Sequence, residues 1–139
     1  MLRHLALAAF ASAVAAGPLP PLPSLGLLEP PPDELTVAVS GSGSSLDGTY
    51  TLECAPPGGS HPKAAEACAR LDRLSGEKED PFAPVSKRQF CTMVDGGPAR
   101  ARITGTWRGK RIDASYDRKN GCEINRWKEL EPVLPTARS

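Results

Sequence analysis

Four cysteines, Cys54, Cys68, Cys91 and Cys122, constrain this sequence more than any other feature. An even number in a short chain reads as two disulfides, with three connectivities open. No two are close enough for a C-x-x-C ligand pair, and His61 is the only histidine besides His4. That spacing argues against a structural zinc site, so no metal is expected. Disulfides persist in oxidising compartments, and the first residues agree. MLRHLALAAFASAVAAG has a basic Arg3, an apolar run from Leu5 to Phe10, and Ala13-Val14-Ala15 as an A-x-A cleavage site. The run is too short and too rich in alanine to cross about 30 Å of hydrocarbon. Residues 1–16 read as a secretory signal peptide, which predicts an extracellular product with no membrane association after its removal.

Residues 17–32, GPLPPLPSLGLLEPPP, are dense in proline, which fixes φ and removes backbone donors. They read as an extended N-terminal arm, a spacer. A domain over 33–131 and a C-terminal tail over 132–139 follow. About a hundred residues form one domain of common size, with a core small enough to benefit from a covalent staple. Removing Arg3 from 17 basic residues leaves 16, against 16 acidic ones. A balanced charge speaks against nucleic acid as a partner. Arg100, Arg102, Arg108, Lys110 and Arg111 are locally basic, but they alternate with apolar residues and read as a solvated strand face.

Little supports catalysis. A Ser-His-Asp arrangement would have to use His61, and no G-x-S-x-G elbow is present. Ser42, Ser44 and Ser45 lie in SGSGSSLDG, which lacks the Gly-Lys-Ser/Thr ending of a phosphate loop. Glu79 and Asp80 sit in EKEDPF, where solvation accounts for them. The chain is read as a non-enzyme without a cofactor.

LTVAVS (35–40) and GTYTLEC (48–54) alternate apolar and polar residues and predict an antiparallel pair of half-buried strands. KAAEACARLDRL (63–74) changes to helical spacing, with Ala64, Cys68, Leu71 and Leu74 on one face and Ser75-Gly76 as the stop. EKEDPFAPVSKRQ is a long irregular connection. ARARITGTW (99–107) and KRIDASY (110–116) alternate again around Arg108-Gly109, and NGCEINRW (120–127) is a last strand or a short helical turn. Trp107 and Tyr116 read as large bodies for a small core. ELEPVLPTARS, with prolines and no period, predicts a mobile end. The fold class is α+β, an antiparallel sheet with a helix.

LTVAVS, YTLECAPPGGSHPKAAEACARL, CTMV, GTWRGKRI and NGCEI occur together, in one order, across roughly residues 33–127. In these segments the chain resembles the Streptomyces subtilisin inhibitor family of secreted serine protease inhibitors. The resemblance implies a five-stranded antiparallel sheet with two helices, a homodimer formed through the sheet, and disulfides Cys54–Cys68 and Cys91–Cys122. It also implies a protease-binding loop just after the third cysteine. Met93 then takes the P1 position and Val94 P1′. Cys91, Thr92, Asp95 and Gly96 flank the reactive bond.

The residues suit that role. Met is long, flexible and apolar, as a deep hydrophobic specificity pocket requires. A subtilisin-like partner follows, with chymotrypsin-like enzymes as further targets and poor inhibition of trypsin. One departure stands out: the family commonly continues Tyr-Asp-Pro after P1′, whereas this chain has Asp95-Gly96-Gly97-Pro98. The acid removes an aromatic contact, and the glycines predict a freer backbone. Two other readings share the scaffold: a non-inhibitory protease-binding module or substrate, and a trypsin-directed inhibitor using Arg88 or Arg100.

Overall fold

The computed structural model describes residues 13, 15–19, 32–77 and 79–138. The proposed signal peptide and proline-rich arm therefore fall mostly outside the described residues. Alternation of apolar side chains produces β1 (Glu34–Ser40), β2 (Gly48–Glu53), β3 (Arg100–Trp107) and β4 (Lys110–Tyr116). They form one antiparallel sheet in the order β2-β1-β3-β4. Because side chains alternate between faces, the register gathers Leu35, Val37, Val39, Leu52, Ala101, Ile103, Ile112, Ala114 and Tyr116 on the buried face. The other face is polar, and Arg102 there pairs with Asp113 at 2.9 Å. The β3–β4 hairpin turns on Arg108 and Gly109, with φ of 48° and 78°. Two successive positive φ values match the twist of paired strands.

Helix α1 (Ala64–Gly76) lays Ala67, Cys68, Leu71 and Leu74 into the core. The Cys54–Cys68 disulfide joins it to the end of β2. It has no side-chain N-cap of its own. Instead, the Lys63 N–H donates to His61 Nδ1 at 3.0 Å, and His61 Nε2 bonds the Val133 carbonyl at 2.9 Å. A buried histidine with both nitrogens engaged is accounted for structurally. The helix runs two residues past the expected end and includes Ser75 and Gly76.

NGCEINRW resolves as α2 (Gly121–Glu129), not as a strand. Asn120 is its N-cap, with Oδ1 accepting from the Glu123 N–H at 3.0 Å. The described residues thus hold two helices and four strands, one strand fewer than the resemblance implied. The candidate last strand, NGCEINRW, is helical, and the segment after α2 supplies no replacement. Pro132 and Pro135 lack the N–H donors a ladder needs. Val133 and Leu134 donate their N–H groups back to the Leu130 carbonyl, at 2.6 and 3.3 Å. The segment is also not the free end its composition suggested. Leu130, Val133 and Leu134 are fully buried, and Trp127 Nε1 donates to the Pro135 carbonyl at 2.8 Å.

Candidate functional site

Residues 79–99 connect α1 to β3 without forming a helix or strand. An irregular segment this long must be held by side chains or by partners elsewhere in the chain. Here α2 and the residues just before it supply nearly all the anchors.

At the start of the connection, Arg126 of α2 donates from Nε to the Ala83 carbonyl at 2.9 Å and from Nη1 to the Ser115 carbonyl at 2.7 Å. Its guanidinium lies 3.9 Å from the centre of the Tyr116 ring, and the Tyr116 hydroxyl donates to the Pro81 carbonyl at 3.0 Å. Burial raises the Tyr116 phenol well above the ordinary tyrosine range, against the opposing pull of the Arg126 charge. Phe82 is buried beside Trp107, ring centres 6.4 Å apart.

The chain then leaves the body. Phe90 is 102% exposed, Met93 94% and Val94 54%. Between these apolar side chains stands Cys91, bonded to Cys122 in the first turn of α2. The next residue is fixed as well. The Gly121 N–H donates to the Thr92 carbonyl at 2.9 Å, and a Cβ on Gly121 would overlap Thr92 Oγ1. On the far side, Asp95 Oδ1 accepts from the Gly97 N–H at 2.9 Å, which closes a local turn. Gly96 is buried. Its N–H donates to the Arg118 carbonyl at 2.6 Å, and its carbonyl accepts from Arg118 Nε at 3.1 Å. A Cβ on Gly96 would come within 2.7 Å of Ile124 Cγ1. The expected looseness of the two glycines is therefore absent at Gly96, which is a packing requirement. Gly97, with φ of 98°, does need a glycine conformation.

Two exposed residues, Met93 and Val94, thus stand at the tip of a segment pinned at Thr92 and Gly96. The Subtilisin inhibitor-like family model matches residues 32–120. The chain belongs to that family. Kexstatin-1 of Streptomyces platensis is 35% identical to this subtilisin inhibitor-like chain over 117 residues, 82% of this chain and 79% of that protein. Protease inhibitor SIL-V2 of Streptomyces orinoci is 34% identical over 90 residues, 63% of this chain and 81% of its own. A solved chain, Streptomyces caespitosus sermetstatin in complex with Bacillus licheniformis subtilisin, overlaps with a TM-score of 0.43 at 27% identity, covering 73% of this chain and 94% of that one. The family is one of protease inhibitors, not of enzymes.

The two disulfides are those the resemblance implied. Cys91, Thr92, Met93, Val94, Asp95 and Gly96 fall in one continuous segment against α2. Arg88 is exposed in the same connection, whereas Arg100 is committed to the β1–β3 ladder opposite Ser40. The supports at Arg118, Ile124 and Arg126 did not emerge from the sequence. One signal was available for the helix that carries Ile124 and Arg126: Asn120 three residues before Glu123 is an N-cap spacing that favours helix over strand in NGCEINRW. A cavity of about 400 Å³ lined by Tyr50, His61, Pro62, Pro132 and Pro135 includes no residue of the loop.

Proposed function

We propose that the chain is a secreted inhibitor of subtilisin-like serine proteases, with chymotrypsin-like enzymes as further targets, and that Met93–Val94 is its reactive bond. The observation that carries this reading is an apolar side chain, Met93, 94% exposed between two anchored residues. Exposed apolar side chains gathered in one segment mark an interaction surface. Phe90, three residues earlier and equally exposed, adds a second apolar contact on the same side of the bond.

In this reading Met93 fills the specificity pocket and the protease serine attacks its carbonyl carbon. The C–N bond to Val94 breaks, its nitrogen takes the proton, and an acyl-enzyme forms. Cys91–Cys122 and Thr92–Gly121 hold the acyl side, while Gly96–Arg118 holds the amine side. The Val94 amine therefore remains beside the ester and reattacks, re-forming the amide and freeing the serine before water intervenes. A preordered loop also loses little entropy on docking, and interfaces of about 1,600 Å² suffice for very tight protease–inhibitor pairs. Asp95 turns its carboxylate to its own loop, which limits the penalty of an acid at P2′.

The homodimer belongs to the same proposal. The outer face of the sheet carries half-buried Thr36, Ala38, Thr104 and Thr106 beside the Arg102–Asp113 pair, and would be the mating surface. Light scattering of the purified protein distinguishes a dimer from a monomer.

Titration of subtilisin and trypsin with the purified mature protein tests the inhibitory reading. Near-stoichiometric loss of subtilisin activity, with slow cleavage confined to Met93–Val94, is expected. Rapid digestion throughout the loop would establish a substrate instead. Met93→Lys should move the preference towards trypsin, and trypsin inhibition by the unaltered protein would point to Arg88. Oxidation of Met93 to the sulfoxide should weaken inhibition by making the side-chain tip polar.

A further inference from the structure

Arg118 follows β4 by two residues and is only 4% exposed. Its guanidinium faces the Trp127 ring, 5.9 Å from the ring centre, and among the described residues no carboxylate pairs with it. Nη1 is buried without a hydrogen-bond partner among the described residues. Burying a guanidinium without a counter-ion is expensive, and scaffold stability alone would be served better by an apolar side chain. What the residue does secure is Gly96. Its carbonyl takes the Gly96 N–H and its Nε reaches the Gly96 carbonyl, so one buried residue fixes both peptide groups of one loop position. Its Cβ and the Ile124 side chain also fill the space where a Gly96 Cβ would stand.

We propose that Arg118 is a positioning residue for the reactive bond: through Gly96 it clamps the chain downstream of Val94, so that the amine released on acylation stays within reach of the Met93 ester. The proposal rests on Met93–Val94 being the reactive bond. Only Val94 and Asp95 lie between that bond and the clamp. The staple Cys91–Cys122 keeps the two cleaved pieces in one molecule and fixes the acyl end, but a long stretch of chain separates Cys122 from the new Val94 amine. Arg118 supplies a restraint close to that amine, and it favours amide re-formation over hydrolysis.

The test is the equilibrium ratio of cleaved to intact inhibitor. Full-length mature protein is held with a catalytic amount of subtilisin and resolved by mass spectrometry, alongside Arg118→Met and Arg118→Lys. Arg118→Met keeps the length and the contact with Trp127 but donates nothing to Gly96. It should shift the ratio at least tenfold towards the cleaved form, and Arg118→Lys should recover part of the shift. A merely structural role would lower the unfolding midpoint and leave the ratio unchanged, and that result overturns the proposal. If Arg118→Met does not fold, Gly96→Ala replaces it. It should produce the same shift, and adding Ile124→Ala should reverse it by opening the space. An unchanged ratio for Gly96→Ala would again refute the clamp. Failure of the unaltered protein to be cut at Met93–Val94 would remove both this inference and the reading beneath it. Clean cleavage there with unaffected variants removes this inference alone.

Discussion

Gly121 and Thr92 touch with no atom to spare: the glycine N–H bonds the threonine carbonyl at 2.9 Å, and the place of its missing Cβ is already occupied by Thr92 Oγ1. The residue before Met93 is thereby held against the first turn of α2, one position from the disulfide.

Gly121→Ala should separate inhibition from stability. Alanine is the better helix former by up to about 1 kcal/mol in a helix interior, which offsets part of the cost of moving Thr92, so the melting temperature should change little. The new methyl group must displace Thr92, and the inhibition constant for subtilisin should rise at least tenfold. The double variant Gly121→Ala, Thr92→Gly, which removes the obstructing side chain, should recover much of the loss. An unchanged inhibition constant in Gly121→Ala would mean that the Thr92 contact does not position Met93.

Cys91 and Cys122 are 31 residues apart, and in the chain-entropy model closing such a loop stabilises by roughly 3.5–4 kcal/mol. Cys91→Ser with Cys122→Ser should lower unfolding stability by about that amount in a denaturant titration. It should also turn the inhibitor into a substrate cut near Met93, because the acyl side loses its covalent restraint. Retained inhibition without cleavage would show that the hydrogen bonds alone hold the loop.

The last residues should prove indispensable. Leu134 is fully buried, and Leu134→Ala should cost about 2–5 kcal/mol, as large-to-small changes in cores do. Deleting 132–138 removes Val133, Leu134 and the carbonyl that receives Trp127 Nε1, and should leave a chain without a cooperative thermal transition.

Alkaline pH offers a fourth test. Burial holds the Tyr116 phenol neutral above the unfolded value of about 10. Between the unfolded and folded values the native state binds more protons than the unfolded one, so stability is complete below about pH 10 and falls as pH rises beyond it. Denaturation midpoints at pH 8 and pH 11 should show that fall. Tyr116→Phe should flatten it, at a cost of about 1 kcal/mol at neutral pH for the lost bond to the Pro81 carbonyl.

Most of the sheet was legible because its signal is local. Leu35, Val37 and Val39 alternate within β1, Arg108-Gly109 marks its own hairpin, and Ala67 to Leu74 carry their own helical spacing. The resemblance pointed to CTMV because it is contiguous, and Met93 and Val94 there are exposed. The supports were not, because each joins distant positions: Arg118 meets Gly96 across 22 residues and Arg126 meets Ala83 across 43. No periodicity encodes such a contact. The tail was misjudged for a related reason. Pro132 and Pro135 erase strand and helix patterns alike, although Val133 and Leu134 between them complete the core.

Phe90, Met93 and Val94 project from the surface, and none of them belongs to the buried core. On the proposed reading, the residues that meet an enzyme are different residues from those that make the protein fold. A lineage facing proteases that change their pockets can exchange its bait freely, in the currency of recognition only, while Gly96, Arg118 and Gly121 stay fixed beneath. Novelty in such a protein should accumulate at 90, 93 and 94, and heredity at the three positions that hold them up.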